Sequence, residues 1–364
     1  MKRYTEEKQM KVLVVGPDSR RTKGGIASVI QGMREDKRLT EEAGMGFYSS
    51  CYAGSPLLKA GYELYKIMKF DHAVQDYDLV HIHMSVKGSA LRKMKYAQIA
   101  KKHGKKVILH IHSGNFLSYY RGLSGKKQKA LRDCLQSADC VIALSQSWKK
   151  ALSAGIGLSN CVALPNGISL AGYPKEEILP FERRPVDFLF LGRLGVEKGT
   201  DNILKALENL KASGHSFNCV LAGDGSVQDY SQWVKEAGLE GQISFAGWVH
   251  GEQKRKLLRE ARILLLPSRN EGMPMSILEA MAFGEAVIST KVGGIPEAVE
   301  DDVSGVLIEP DNEEKLRATI DRLFDDPALA ERMGRRGREI VEQKFDLRQI
   351  HSELLAIYRR VLGE

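Results

Sequence analysis

The 364-residue sequence contains no run of eighteen or more uncharged apolar residues. A helix that crosses a bilayer needs about twenty predominantly apolar residues, so we expect no membrane span. The first ten residues, MKRYTEEKQM, also lack the apolar stretch of a secretory signal. Both absences lead us to expect a cytoplasmic protein.

Cysteine is scarce, and its pattern excludes a disulfide scaffold. The chain has an odd number of cysteines, and none of them shows CxxC spacing. We expect these residues to be reduced and structural: Cys51, Cys134, Cys140, Cys161 and Cys219. The GxGxxG fingerprint of dinucleotide-binding proteins is also missing. Internal repeats and low-complexity tracts are absent too, which excludes a solenoid.

Charge is present but unevenly distributed. Residues 1–170 hold 28 basic and 13 acidic side chains, whereas residues 171–364 hold 26 basic and 33 acidic ones. The basic half would attract an anionic membrane surface, although a solvated face with no partner is the alternative. Basic and aromatic residues do not interleave, and no nucleic-acid-binding motif occurs, so we expect no nucleic-acid partner.

With 43% hydrophobic residues, the chain can form two domains, each with its own core. Apolar runs of strand length alternate with amphipathic helical stretches in both halves, which predicts an α/β fold with two doubly wound parallel sheets. We expect a first domain at 1–170, a linker at 171–185 and a second domain at 186–346. The predicted strands are Lys11–Gly16, Leu79–His83, Val107–His112, Cys140–Ser145, Asp187–Gly192, Asn218–Gly223, Ile243–Ala246, Ile263–Pro267, Ala286–Thr290 and Gly305–Ile308.

The segment RNEGMPMSILEAMAFGEAVIST carries the strongest chemical signal. Glu271 precedes a tight turn of Gly272, Met273 and Pro274, and a helix is predicted to begin after it. The free amides and positive dipole end of a helix start can hold a diphosphate. Glu279, inside that helix, can accept hydrogen bonds from a ribose diol. The alternative is that both glutamates are surface acids beside a loop.

A second signal follows the first strand of the second half, in FLGRLGVEKGTDNILKAL. Arg193 and Lys198 lie just beyond the strand, where two cations can neutralise a departing diphosphate without a metal ion. In the next strand-to-helix turn, Gly223 could meet the nucleotide base or merely connect the two elements.

The first half contributes histidines and glycines. His110 and His112 share one face of a predicted strand, and the HIHM segment adds His81 and His83. Four histidines raise the question of zinc, but no carboxylate ligand is recognisable nearby, so we expect no metal. A structural role is the alternative for His112. Gly24 and Gly25 precede a helix and would allow a close backbone approach to a ligand, unless they only form a flexible turn.

Together these pieces resemble the retaining glycosyltransferases of family four, and they occur in the family's order. The second half contributes GRLGVEKG, LAGDGS, FAGWV, LLPSRNEGMPMSILEAMAFG, VISTKVGGIPEAV and SGVLIEP. The first half matches less closely, through KGGIASVI, DLVHIHMS, VILHIHSG and LPNGI. The resemblance implies the GT-B fold, with two Rossmann-like domains facing across a cleft, an acceptor-binding first domain, and a second domain that binds a nucleotide-sugar donor.

The resemblance also implies roles for individual residues. Arg193 and Lys198 would bind the donor diphosphate, Glu279 the ribose and Glu271 the hydroxyls of the donor sugar. The Gly272–Pro274 turn would supply backbone contacts near the phosphates, His112 would line the sugar site, and Gly25 would lie over the diphosphate. No cofactor or metal is implied, and helix 347–364 would pack on the first domain. Glu285 departs from the proline that the family commonly has.

The resemblance leads us to expect transfer of a hexose to a carbohydrate or lipid-linked acceptor, with retention of configuration, in polysaccharide or glycolipid assembly. The basic first half suggests peripheral binding to the inner face of the cell membrane. A nucleotide-sugar epimerase of the same fold is the alternative, because it would use the same donor without an acceptor.

Overall fold

The computed structural model describes residues 9–22, 24–50 and 56–364. It separates into two compact units: the first extends to Asn166 and includes Leu347–Glu364, and the second comprises Gly167–Asp346. Cys51 lies outside the described residues, and the four described cysteines are free and buried. Within the described part of the chain, none of the helices combines the length and the apolarity needed to cross a membrane.

Each unit is built on a six-stranded parallel sheet. The first sheet has the order β2-β1-β3-β4-β5-β6, and the second has the order β12-β11-β10-β7-β8-β9. The strands are β1 Val12–Gly16, β2 Gly46–Ser49, β3 Leu79–Met84, β4 Lys106–Ile111, β5 Cys140–Ala143, β6 Cys161–Ala163, β7 Val186–Leu191, β8 Cys219–Ala222, β9 Ile243–Gly247, β10 Ala261–Leu266, β11 Ala286–Thr290 and β12 Gly305–Ile308.

Helices alternate with these strands in both units. They are α1 Gly25–Glu35, α2 Lys37–Glu42, α3 Pro56–Ala73, α4 Gly88–Lys102, α5 Phe116–Arg121, α6 Gly125–Ser137, α7 Gln146–Ile156, α8 Thr200–Ala212, α9 Val227–Glu236, α10 Gly251–Glu260, α11 Met275–Ala282, α12 Ile295–Ala298, α13 Glu313–Asp325, α14 Pro327–Lys344 and α15 Leu347–Leu362. Several begin at a residue whose side-chain oxygen accepts a hydrogen bond from an amide of the first turn, as Asp36, Asn312 and Asp326 do.

The central strands are covered on both faces. Along β1, Leu13 and Val15 belong to one apolar cluster, while Val12 and Val14 belong to the other. The second of these clusters includes residues of α15, which is why the final helix belongs to the first unit. Near-continuous apolar runs are typical of strands buried on both faces of a parallel sheet. The predicted α/β fold with two doubly wound parallel sheets is confirmed.

The segment predicted as a linker, 171–185, is part of the second unit. It contains two short 3-10 turns, Lys175–Glu177 and Phe181–Arg183, and a third, Leu170–Gly172, begins one residue before it. Buried Arg184 fastens the segment, because its guanidinium donates hydrogen bonds to the carbonyl oxygens of Ala261, Phe283 and Gly284. Proline and charge suggested an irregular connection, but the contacts of Arg184 could not be read from local sequence.

Candidate functional site

The candidate site in the second unit lies at the carboxyl edge of its sheet. Strands β7, β8 and β9 extend in one direction from the centre, and β10, β11 and β12 extend in the other. The order therefore reverses between β7 and β10, which are direct neighbours. Ligands of open α/β sheets bind in the crevice beyond such a reversal point. The loops that begin here carry Arg193 and Lys198 after β7, and Glu271 after β10.

Glycines allow the loops at this edge to approach one another closely. A Cβ on Gly223, after β8, would lie 1.6 Å from the carbonyl oxygen of Gly192. A Cβ on Gly199 would lie 2.3 Å from the carbonyl oxygen of Pro267, and Gly199 has a φ of +71°. Side chains larger than hydrogen would separate these loops. The glycine at position 223 is therefore required by packing between two loops, whatever it contacts in a ligand.

An ion pair links the two loops at the reversal point. The Nζ of Lys198 lies 2.5 Å from Oε1 of Glu271. The same carboxylate oxygen accepts a hydrogen bond of 2.9 Å from the hydroxyl of buried Ser268. Lys198 keeps 30% of its side-chain surface exposed, whereas Glu271 keeps 10%. Arg193 is exposed. The edge therefore carries one exposed guanidinium and one lysine held by a carboxylate.

The turn between Glu271 and α11 is held from the neighbouring strand-to-helix loop. Gly294 donates a backbone hydrogen bond of 2.6 Å to the carbonyl oxygen of Gly272. Gly293 has a φ of +56°, and a Cβ there would lie 2.0 Å from the carbonyl oxygen of Glu271. Met273 is buried, and Pro274 occupies the position just before the helix. The turn is therefore fixed in position by the glycines after β11.

Helix α11 starts at this turn without a side-chain cap. The first amides of an α-helix have no partner inside the helix, and they carry the positive end of the helix dipole. Ser276, in the first turn, is half-buried. An anion bound at the edge would therefore meet amide donors from α11 as well as the cations that follow β7.

Glu279 lies one turn further along α11 and is buried. Its Oε1 accepts a 2.6 Å hydrogen bond from the Nζ of Lys254, which belongs to α10. The hydroxyl of Tyr173 also bonds to this carboxylate, and burial together with the nearby negative charge raises the pKa of Tyr173. Lys254 and Tyr173 were not found by sequence reasoning. Lys254 is one of several charged residues on a surface helix, and Tyr173 lies in the segment predicted to be a linker.

The other three predicted residues belong to the first unit. Gly24 has a φ of +116° and precedes α1, which begins at Gly25. A Cβ on either glycine would have no atom of the described residues within 4 Å, and the φ of Gly24 favours glycine at that position. His112 directly follows β4, and its amide donates to the carbonyl oxygen of Met84 at the end of β3. The predicted strand had included His112, one residue too far.

Four histidines stack on one face of the first sheet. The two neighbouring strands pair His83 with His110, and His81 and His112 lie two residues from them along the same face. The Nδ1 of His83 lies 2.8 Å from Nε2 of His112, and Nε2 of His81 lies 3.2 Å from Nδ1 of His110. The hydroxyl of Tyr358, on α15, lies 2.7 Å from Nδ1 of His81.

Loss of hydration favours the neutral form of these histidines. It lowers the pKa of His81 and of His112 to about 3, and the repulsion that a second protonated ring at His112 would exert lowers the pKa of His81 further. It lowers the pKa of His83 and His110 well below the ordinary value as well. Ligand atoms of His81, His83 and His110 lie within 4.8 Å of one another. However, both ring nitrogens of His81 are engaged in hydrogen bonds, so a metal ion bound by all three would have to break one of them.

Two units, each a doubly wound parallel sheet with alternating helices, define a protein of the GT-B class. The family described as Glycosyltransferase Family 4 matches residues 10–171, and the family described as Glycosyl transferases group 1 matches residues 175–340. The two matches together span both units, and the chain belongs to the glycosyltransferases of family 4.

Two relatives illustrate the range of the match. An uncharacterized 41.2 kDa protein in the cps region of Klebsiella pneumoniae is 25% identical over 319 residues, which cover 82% of this chain and 87% of that protein. The glycogen synthase of Mycobacterium tuberculosis is 27% identical over 262 residues, covering 69% of this chain and 62% of that enzyme. The chain thus spans somewhat less than two thirds of the synthase.

Solved structures share the fold. A sucrose-phosphate synthase from Thermosynechococcus elongatus superposes with a TM-score of 0.77 at 20% identity, covering 97% of this chain and 99% of that chain. Anabaena HepE, solved in complex with UDP-glucose, gives a TM-score of 0.75 at 20% identity, covering 96% of this chain and all of that chain. At this level of identity, the likeness establishes the fold alone.

Proposed function

We propose that this glycosyltransferase moves a hexose from a nucleoside diphosphate sugar to an acceptor hydroxyl, with retention of anomeric configuration. The observation that carries the proposal is the edge between β7 and β10. The sheet order reverses between these two strands. Exposed Arg193 and partly exposed Lys198 follow β7, and the start of α11 follows β10. Cations and free helix amides in one place suit the diphosphate of such a donor.

The remaining residues of the edge suit the other parts of the donor. The carboxylate of Glu279, held by Lys254, would accept hydrogen bonds from the ribose hydroxyls. The Gly272–Pro274 turn would place backbone groups beside the phosphates, and Gly223 would lie near the base. Anabaena HepE, which has a similar fold, was solved with UDP-glucose, so a uridine donor is the first to test, followed by a guanosine donor.

The chemistry requires stabilisation of the leaving diphosphate. The acceptor oxygen forms a bond to the anomeric carbon, the bond from that carbon to the phosphate oxygen breaks, and the acceptor proton passes to the departing diphosphate. Arg193 and Lys198 would stabilise the charge that develops there, so we propose that no metal ion is needed. Glu271 would orient hydroxyls of the donor sugar, and His112 would donate or accept a further hydrogen bond. Gly24 and Gly25 would let backbone approach the diphosphate.

We propose a saccharide or lipid-linked acceptor, in polysaccharide or glycolipid assembly. The relative from Klebsiella pneumoniae described as lying in a cps region supports this assignment. The basic first half of the sequence agrees with an acceptor held at an anionic surface.

We propose that the first unit attaches peripherally to the inner face of the cell membrane through α3. On α3, Leu64, Tyr65 and Met68 are at least half exposed, and the same helix carries Lys66 and Lys69. Apolar side chains beside lysines are typical of helices that lie in a membrane interface. Not every basic residue contributes, because Lys93 is buried and donates a hydrogen bond to the hydroxyl of Ser50.

A donor screen followed by product analysis tests the transfer reaction. Thermal shifts with UDP-, GDP- and ADP-sugars identify the nucleotide, since a bound ligand raises the melting temperature. Incubation of the donor alone then separates the two enzyme classes. A transferase leaves the sugar unchanged until an acceptor is added, whereas an epimerase converts it without one. Conversion of the donor sugar in the absence of acceptor would contradict the proposal.

Liposome flotation tests the membrane surface. We expect the protein to float with vesicles that contain phosphatidylglycerol, to float less with purely zwitterionic vesicles, and to dissociate as salt is added. Met68→Gln should weaken flotation, whereas Val303→Gln, at an exposed apolar residue of the second unit, should not. Equal flotation of both variants would count against α3 as the contact.

A further inference from the structure

The contact between His83 and His112 has consequences beyond packing. The two rings meet edge to edge, with centroids 5.0 Å apart and planes inclined by 23°, and Nδ1 of His83 lies 2.8 Å from Nε2 of His112. Burial lowers the pKa of both rings and so favours their neutral form, in which each ring has one N–H and one bare nitrogen. A single hydrogen bond joins them, and its direction therefore decides which nitrogen of His112 carries the proton.

The other ring nitrogen of His83, Nε2, indicates the direction of this hydrogen bond. This nitrogen is buried and has no hydrogen-bond partner among the described residues. Orphaned buried N–H groups are rarer in proteins than buried acceptors that lack a donor. This preference leaves Nε2 of His83 bare and places the proton on Nδ1, from which it is donated to His112.

We propose that His83 is a positioning residue that donates Nδ1–H to Nε2 of His112 and thereby keeps the proton of His112 on its Nδ1. His112 keeps part of its surface exposed at the carboxyl end of β4, so this Nδ1–H is a directed hydrogen-bond donor for an acceptor oxygen of a ligand. If, as the proposed function holds, His112 contacts the donor sugar, the group recognised is a sugar oxygen that accepts a hydrogen bond.

A second hydrogen-bonded set supplies a control. Tyr358, His81 and His110 form their own chain, and Tyr358 contacts His81 rather than His112. A change at Tyr358 therefore alters the same buried cluster without touching the bond that fixes His112.

Nitrogen NMR of protein labelled with ¹⁵N-histidine reads the tautomer directly, with His112 assigned by loss of its signals in His112→Gln. We expect wild-type His112 to be protonated on Nδ1. His83→Asn, whose amide can donate from nearly the same place, and Tyr358→Phe should retain this tautomer. His83→Leu should lose it. Protonation of wild-type His112 on Nε2, or an unchanged His112 in His83→Leu, would overturn the proposal.

Kinetics provide a second readout in the same variants. Loss of one oriented neutral hydrogen bond should raise KM for UDP-glucose roughly five- to tenfold in His83→Leu, with partial rescue in His83→Asn. The Kd for UDP, which lacks the sugar, should not change. If UDP-glucose is not a substrate, the proposed function in its uridine form fails, while the NMR result still decides the tautomer. If His83→Leu folds and its His112 tautomer changes while KM stays the same, His112 does not take part in recognising the sugar.

Discussion

The ammonium group of Lys198 lies 2.5 Å from the carboxylate of Glu271, joining the loops that follow the two central strands β7 and β10. The lysine assigned to the donor diphosphate is therefore held by the glutamate assigned to the donor sugar. A bound diphosphate would compete with Glu271 for this cation, and the released carboxylate could then accept hydrogen bonds from hydroxyl groups.

This relationship predicts opposite effects of Glu271→Gln on binding and on turnover. Removing the carboxylate charge frees Lys198, so the Kd for UDP should stay equal or fall. The kcat should drop at least roughly tenfold, because the oriented carboxylate is lost. Calorimetry and initial rates measure the two quantities. Glu313→Gln, which breaks the exposed pair with Lys205, is the matched control and should change neither. Weaker UDP binding in Glu271→Gln would contradict the competition.

Glu279 should confer selectivity for ribose. Wild-type protein is expected to bind UDP more tightly than 2′-deoxy-UDP, because a buried carboxylate that loses a hydroxyl partner is left partly unsatisfied. In Glu279→Gln this preference should shrink, with a loss of UDP affinity on the order of tenfold. Lys254→Met should weaken UDP binding less, since Lys254 donates a hydrogen bond to the carboxylate and the proposal gives it no contact of its own with the nucleotide. Equal discrimination in wild type and Glu279→Gln would refute the assignment.

Gly293 should be indispensable for the turn that presents Glu271. Its φ of +56° and the 2.0 Å approach of a Cβ to the carbonyl oxygen of Glu271 oppose any side chain. Gly247→Ala is the matched control, because its φ is +65° but its Cβ would meet open space. We expect Gly247→Ala to cost about 1–2 kcal/mol of unfolding free energy, and Gly293→Ala to cost more and to reduce activity. Urea unfolding and rate measurements test this. Equal losses of unfolding free energy in the two variants would show that the added Cβ does not clash with the carbonyl oxygen of Glu271.

The strand pattern was readable from sequence because central parallel strands are continuous apolar runs. Ala286–Thr290 and Gly305–Ile308 agree residue for residue with β11 and β12. The short strands β2 and β6 were missed. The GFYS segment of β2 is only half-buried, and β6 has three residues, so neither produces an apolar run. Both are edge strands, where one partner rather than two enforces the conformation.

Local sequence signals also decided which residues of the candidate site could be predicted. Arg193, Lys198, Glu271 and Glu279 could be proposed because each lies in a short segment whose turn and helix signals are local. Their supporting partners could not. Ser268 reaches Glu271 only through the conformation of the loop, and Tyr173 reaches Glu279 from 106 positions away in the chain. The hydrogen bond between His83 and His112 depends on the register of β3 and β4, which periodicity alone does not set.

Buried Glu285 predicts a dependence of stability on pH. Both carboxylate oxygens lack hydrogen-bond partners among the described residues, and burial raises the pKa well above 4.5 despite the nearby charge of Arg184. At a pH above the pKa that Glu285 has in the unfolded chain, the unfolded state releases the proton of Glu285 and the folded state retains it. The free energy of unfolding therefore falls as the pH rises from the unfolded pKa of Glu285 toward its higher folded pKa.

Glu285→Gln should flatten this dependence and raise the free energy of unfolding at pH 7, because the amide has no proton to retain on folding. Urea unfolding between pH 4.5 and 8 measures it. Exposed Glu240→Gln is the control and should leave the slope unchanged. A Glu285→Gln profile parallel to that of wild type would show that Glu285 does not retain its proton on folding.

Calorimetric titration of UDP, GDP and ADP into wild type and into the double variant Arg193→Ala, Lys198→Ala tests the central claim most directly. We predict that at least one of these nucleotides binds wild type, and that the double variant loses roughly a hundredfold or more in affinity, because two charge-assisted contacts to the diphosphate disappear. Lys205→Ala, which removes an exposed cation from α8, should bind like wild type. Undiminished affinity in the double variant, or binding of NAD in place of all three nucleotides, would contradict a diphosphate site between β7 and β10.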